Sequence, residues 1–127
     1  MTGTGDVETI DGGTGPQTPI QLDDTADYDE LLAEHDLVLL EFVTSGCGIC
    51  ASMEPVLGTV ARSAPGAVAT VNAGFVPDLT AEFGVQSVPT LVVLADGDEV
   101  ARLDDGFQSA ETLVNLLETH AARKTFR

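Results

Sequence analysis

Residues 37–43 read LVLLEFV, an almost unbroken apolar run with Glu41 as its one interruption. A run this short, apolar at successive positions, predicts a strand buried on both faces. On either side the spacing changes to a helical one. Residues 24–34 place Tyr28, Leu31 and Leu32 on one face behind Asp24 or Thr25 as cap, and residues 19–22 form a short candidate strand before them. Met53, Val56, Leu57 and Val60 follow the i, i+3, i+4, i+7 rule, so a helix is predicted from Cys47 to about Ser63, with Pro55 inside it removing one backbone hydrogen bond.

Residues 67–71 read as a third strand. Pro77 suits the first turn of a short helix that carries Leu79 and Phe83 and ends at Gly84. Residues 90–94 and 99–103 are strands joined by an Asp96-Gly97 hairpin turn. Ser109 caps a last helix whose apolar face is Leu113, Leu116, Leu117 and His120. The resulting order β, α, β, α, β, α, β, β, α predicts a mixed sheet sandwiched between helices.

The ends of the chain depart from this patterning. Residues 1–17 are rich in Gly, Thr and Asp and too poor in apolar groups to offset the entropy of ordering them, so they are expected to be a disordered tail. Their GGTG lacks the Gly-Lys-Ser/Thr of a phosphate loop. Residues 18–122 then form one domain, and 123–127 a short basic tail; 127 residues with 43% hydrophobic content suffice for a single core.

Charge narrows the partners. The chain has 21 acidic and 5 basic residues, a net charge of -16, and no Lys or Arg before Arg62. Such a field repels nucleic acid and anionic membranes. The carboxylates are spread along the whole chain, which reads as adaptation to concentrated salt; the alternative is an acidic surface for a basic partner. No apolar run approaches the roughly 20 residues that span a bilayer, and no secretory leader is recognisable, so a cytoplasmic location is expected.

In that compartment the two cysteines, in SGCGIC at residues 45–50, read as catalytic, metal-binding or inert rather than as a structural staple. Cys47 follows a strand and a Gly-containing turn and opens a helix, whose unpaired N–H groups stabilise a thiolate. Cys50 lies one helical turn on, close enough to resolve a mixed disulfide formed at Cys47. Gly46 and Gly48 flank Cys47 and let a substrate backbone approach its sulfur. Glu41, a carboxylate in an apolar strand, is expected to be desolvated with a raised pKa, fit to take a proton from Cys50. Its alternative is a side chain reaching solvent at a strand edge.

A zinc site would need two further ligands, and only His35, a surface residue at the end of the first helix, and His120, near the end of the last, are on offer. A metal or iron-sulfur cluster shared between two copies, and a binding or chaperone module with a vestigial dithiol, stay as alternatives.

LVLLEFVTSGCGIC, EFGVQSVPTLVVLADGDEV and Gly106, together with Pro55, resemble the thioredoxin family in order and spacing over roughly residues 19–121. The resemblance implies a thioredoxin-like α/β three-layer sandwich, a mixed sheet of about five strands flanked by four helices. It implies a protein-disulfide reductase in which Cys47 attacks and Cys50 resolves. A cis bond is implied at Val88-Pro89, and Gly46, Ile49, Val88 and Gly106 would line the substrate surface. The protein would be a monomer with no bound cofactor, acting on client proteins and receiving electrons from a thioredoxin-reductase-like partner. Three positions depart from the family pattern: Gly46 stands for its Trp, Ile49 for the proline between the cysteines, and Thr70 for the lysine beside the buried acid.

Overall fold

The structure, a computed structural model, describes residues 15–125, so most of the expected N-terminal tail and the last two residues lie outside the described residues. Strand β2 (Leu37–Val43) is the centre, and its first six residues are all buried. On one side it pairs in parallel with β3 (Ala67–Asn72), and on the other it pairs antiparallel with β4 (Thr90–Ala95). β1 (Ile20–Leu22) adds to the far side of β3 in parallel, and β5 (Asp98–Leu103) closes the other edge antiparallel to β4. The order β1-β3-β2-β4-β5 is the expected mixed sheet of five strands. Among the described residues four helices cover it: α1 (Thr25–Glu34), α2 (Gly48–Ser63), α3 (Pro77–Glu82) and α4 (Ala110–Thr125).

Alternation along the strands divides the apolar side chains between two cores. Val38, Leu40 and Phe42 of β2 point to one face, where Tyr28 and Leu31 of α1 and Leu79 of α3 pack on them. Phe83 seals that layer, its ring 5.5 Å from Phe42 and 6.0 Å from Tyr28. Leu37 and Leu39 point to the other face, against Met53, Leu57 and Val60 of α2 and Leu113 and Leu117 of α4. Each buried Leu, Val, Met or Phe contributes about 1.5–3 kcal/mol by leaving water, so both layers depend on β2 presenting apolar groups in both directions.

Local signals account for the element ends. Asp24 caps α1: its Oδ1 accepts from the Asp27 N–H at 2.8 Å, while Asp27 Oδ2 accepts from the Asp23 N–H at 2.9 Å. His35 ends that helix, donating its backbone N–H to the Leu31 carbonyl. Asp96 and Gly97 make the hairpin turn, with φ of 54° and 86°. Ser109 Oγ accepts from the Thr112 N–H as the α4 cap.

Two expectations need adjustment. Cys47 is the cap of α2 rather than its first helical residue. The last helix continues through Lys124 to Thr125, so His120 lies more than a turn before its end and is buried on its inner side. The basic tail expected from residue 123 is thus helical as far as Thr125, since an α-helix tolerates Lys and Arg well in its last turn.

Gly66, leading into β3, has φ of +93°, and a Cβ on it would stand 2.6 Å from the Leu37 carbonyl oxygen at the start of β2. Gly66→Ala is therefore expected to destabilise the fold by about 2–4 kcal/mol, read as a lower urea midpoint with an unchanged slope.

Candidate active site

Pairing register decides which loops meet. Val43 of β2 lies opposite Asn72 of β3, Phe42 opposite Thr90 of β4, and Leu91 of β4 opposite Leu103 of β5. The loops leaving β2, β3 and β5 and the loop entering β4 consequently share one end of the sheet. That end collects Gly46, Cys47, Gly48, Ile49 and Cys50 after β2, Val88 and Pro89 before β4, and Gly106 after β5.

The turn into α2 is built on Gly46, whose φ of +79° is strained for any side-chain-bearing residue. Cys47 follows in extended conformation as the helix cap, and its Sγ accepts from the Cys50 N–H at 3.1 Å. A sulfur in this position receives one of the helix's free N–H groups as well as the positive end of its dipole, both of which favour a thiolate. Cys47 and Cys50 are joined by a disulfide, with Cα atoms 5.2 Å apart. Their exposures differ: Cys50 is buried, whereas Cys47 is half-buried. Cys47 is thus the more accessible of the two.

The Val88-Pro89 peptide bond is cis. Thr90 Oγ1 donates to the Ser87 carbonyl at 2.7 Å and braces this loop from the strand side. The loop carrying Gly106 is tied to α2 by the Gln108 N–H, which donates to Met53 Sδ at 3.5 Å. Gly46, Gly48 and Ile49 are exposed, Val88 and Gly106 half-buried, and Pro89 buried.

Two residues at this end were not singled out from the sequence. Phe75, after β3, is 74% exposed and Phe107 is 54% exposed, more than Ile49 at 47%. Their signal was available: each is an aromatic in a loop, outside every helical or alternating apolar pattern.

Glu41 is 1% exposed, and its Oε2 has no hydrogen-bond partner among the described residues. The solvent-reaching alternative is thereby set aside, because the residue sits in the interior of β2 rather than at an edge. Burial, reinforced by the negative charge of Glu54 on α2, pushes its pKa up to about 7. Glu41 lines a groove of about 470 Å³ together with Cys47, Cys50, Glu54 and Thr70. Thr70 is its direct neighbour on β3. Among the described residues no three His, Cys, Asp or Glu side chains converge as metal donors.

Comparison with known proteins agrees with this geometry. The thioredoxin family model matches residues 19–119. Thioredoxin of Chlamydia pneumoniae is 31% identical over 103 residues, covering 80% of this chain and 99% of that protein. Thioredoxin of Staphylococcus aureus is 33% identical over 97 residues, covering 75% and 91%. The solved structure of a point mutant of thioredoxin from Halobacterium salinarum NRC-1 superposes with a TM-score of 0.78 at 33% identity, covering 85% of this chain and 95% of that one. A disulfide-forming Cys-X-X-Cys pair at a helix start, on this sheet, defines a thiol-disulfide oxidoreductase that acts on protein disulfides. The chain belongs to the thioredoxin family.

The Glu41 environment gives stability a definite pH dependence. Below the ordinary value of 4.5 the carboxyl is protonated whether the chain is folded or not; as pH rises from there through about 7 the unfolded chain ionises while the folded one holds its proton, so stability falls across that window and then levels off. The loss approaches about 3 kcal/mol. Glu41→Gln is expected to match the parent in denaturant melts at about pH 4 and to exceed it at about pH 8; a difference independent of pH would contradict burial as the cause.

Proposed function

We propose that Cys47 is the nucleophile and Cys50 the resolving thiol in reduction or exchange of client-protein disulfides. The observation that carries this assignment is the unequal exposure of the two sulfurs, with Cys47 outermost at the helix cap. The Cys47 thiolate attacks one sulfur of a client disulfide, forming a mixed disulfide and expelling one client thiolate. Cys50, its proton passed to Glu41, then attacks Cys47 Sγ and releases the second client thiolate. The site is left as the Cys47-Cys50 disulfide. Two electrons from a thioredoxin-reductase-like partner restore the dithiol, with no bound cofactor.

A carboxyl with a pKa near 7 suits the proton step, since it can both accept and return a proton at neutral pH. Clients dock on the surface formed by Gly46, Gly48, Ile49, Val88, Pro89 and Gly106, which Phe75 and Phe107 enlarge. Apolar area from these loops takes the place of the Trp absent before Cys47. The protein works as a monomer in the cytoplasm.

Trapping tests the assignment. Cys50→Ser is expected to accumulate mixed disulfides with clients, reversed by dithiothreitol, whereas Cys47→Ser accumulates none. No adduct in Cys50→Ser would favour a binding or chaperone module on the same fold.

The acidic surface fits adaptation to concentrated salt. Dispersed carboxylates repel one another in dilute buffer, and a Debye length of about 3 Å at 1 M salt removes most of that repulsion. The melting temperature is expected to rise from low to molar KCl; a flat or falling trend would leave a basic docking partner as the better account of the charge.

A further inference from the structure

We propose that the groove beside the dithiol is a binding site for a monovalent alkali cation, held by the carboxylates of Glu41 and Glu54 with neutral oxygens from Thr70 and Gln21. The sheet register builds one wall. Gln21 lies opposite Thr70, and Thr70 opposite Glu41, so the three side chains form one row across β1, β3 and β2 on the same face. Strands about 4.8 Å apart make that row about 10 Å long. Glu54 of α2 lines the groove with them.

Charge makes the wall a site. Glu41 is almost wholly buried and its Oε2 is unpartnered, although it lines the groove. A buried carboxylate is costly unless a positive group compensates it. Among the described residues none that lines the groove is basic, and the other titratable groups lining it are Glu54, Cys47 and Cys50. Glu54 adds negative potential, which makes the uncompensated state worse and a cation more welcome.

The donor set selects the kind of cation. Carboxylate, hydroxyl and amide oxygens suit hard ions and not the softer metals that seek thiolate or imidazole. Mg²⁺ demands a near-ideal octahedron and dehydrates reluctantly, and Ca²⁺ takes roughly six to eight oxygens in a flexible cage; a row of side chains fixed on three strands supplies neither arrangement. Na⁺ and K⁺ dehydrate more easily and tolerate such a mixed, partly hydrated set. A cation held there favours the carboxylate form of Glu41 and links the ionic composition of the solution to the proton-accepting state of the site.

Sodium NMR relaxation on the disulfide form at about pH 8 reads the site directly, so the result is independent of whether thiol exchange occurs. The expected result is an excess relaxation that saturates with NaCl, is displaced by KCl, and is not displaced by tetramethylammonium chloride at equal ionic strength. Glu54 is exposed on α2, so Glu54→Gln leaves the core unchanged and is expected to lower the excess by half or more. Glu118→Gln, an exposed change of equal charge on α4, is expected to leave it unaltered. Relaxation that rises without saturation, that tetramethylammonium displaces as well as K⁺ does, or that the two substitutions lower equally would mean a diffuse counter-ion cloud and overturn the proposal.

Discussion

The fold rests on the double burial of β2. A strand hydrogen-bonded on both edges and covered on both faces has nowhere to place a polar side chain cheaply, so its sequence is apolar almost throughout. Leu37 and Leu39 hold one helical layer, Val38, Leu40 and Phe42 the other. The exception, Glu41, is there at an energetic cost, and the same low solvation makes its carboxyl both reluctant to ionise and responsive to charge nearby.

From that strand the site follows by geometry. β2 delivers Cys47 to the start of α2, parallel β3 brings the Phe75 loop alongside, and antiparallel β4 begins at the same end just after Pro89. Gly46 illustrates how backbone and function are joined there. Its positive φ means that the absence of a bulky residue before Cys47 is built into the path of the chain, so restoring an indole at this position would force the turn to change.

Much of this was legible from residue types and spacing. The apolar run of β2, the period of α2, the Asp96-Gly97 turn and the Cys47-X-X-Cys50 pair each carry a local physical signal, and each element appears where that signal falls. Glu41 could be read because a lone carboxylate among Leu and Phe has few explanations. Glu54 could not: on an amphipathic helix it is one acid among many, and its relation to Glu41 arises only when α2 packs on the sheet. Phe75 and Phe107 carried a signal of another kind, an aromatic side chain in a loop, which patterning that describes what is buried passes over. His120 was misplaced along its helix because the basic residues after it do not stop a helix.

The edges of the sheet carry one more consequence. β1 is three residues long, and β5 exposes Asp98, Glu99 and Val100, with Glu99 bonded to Arg102 and Arg102 Nη2 donating in turn to the Phe83 carbonyl at 2.7 Å. A short strand on one side and a charged, cross-braced one on the other give a second sheet little to extend. Both edges therefore offer a neighbouring copy a poor template for pairing strand to strand.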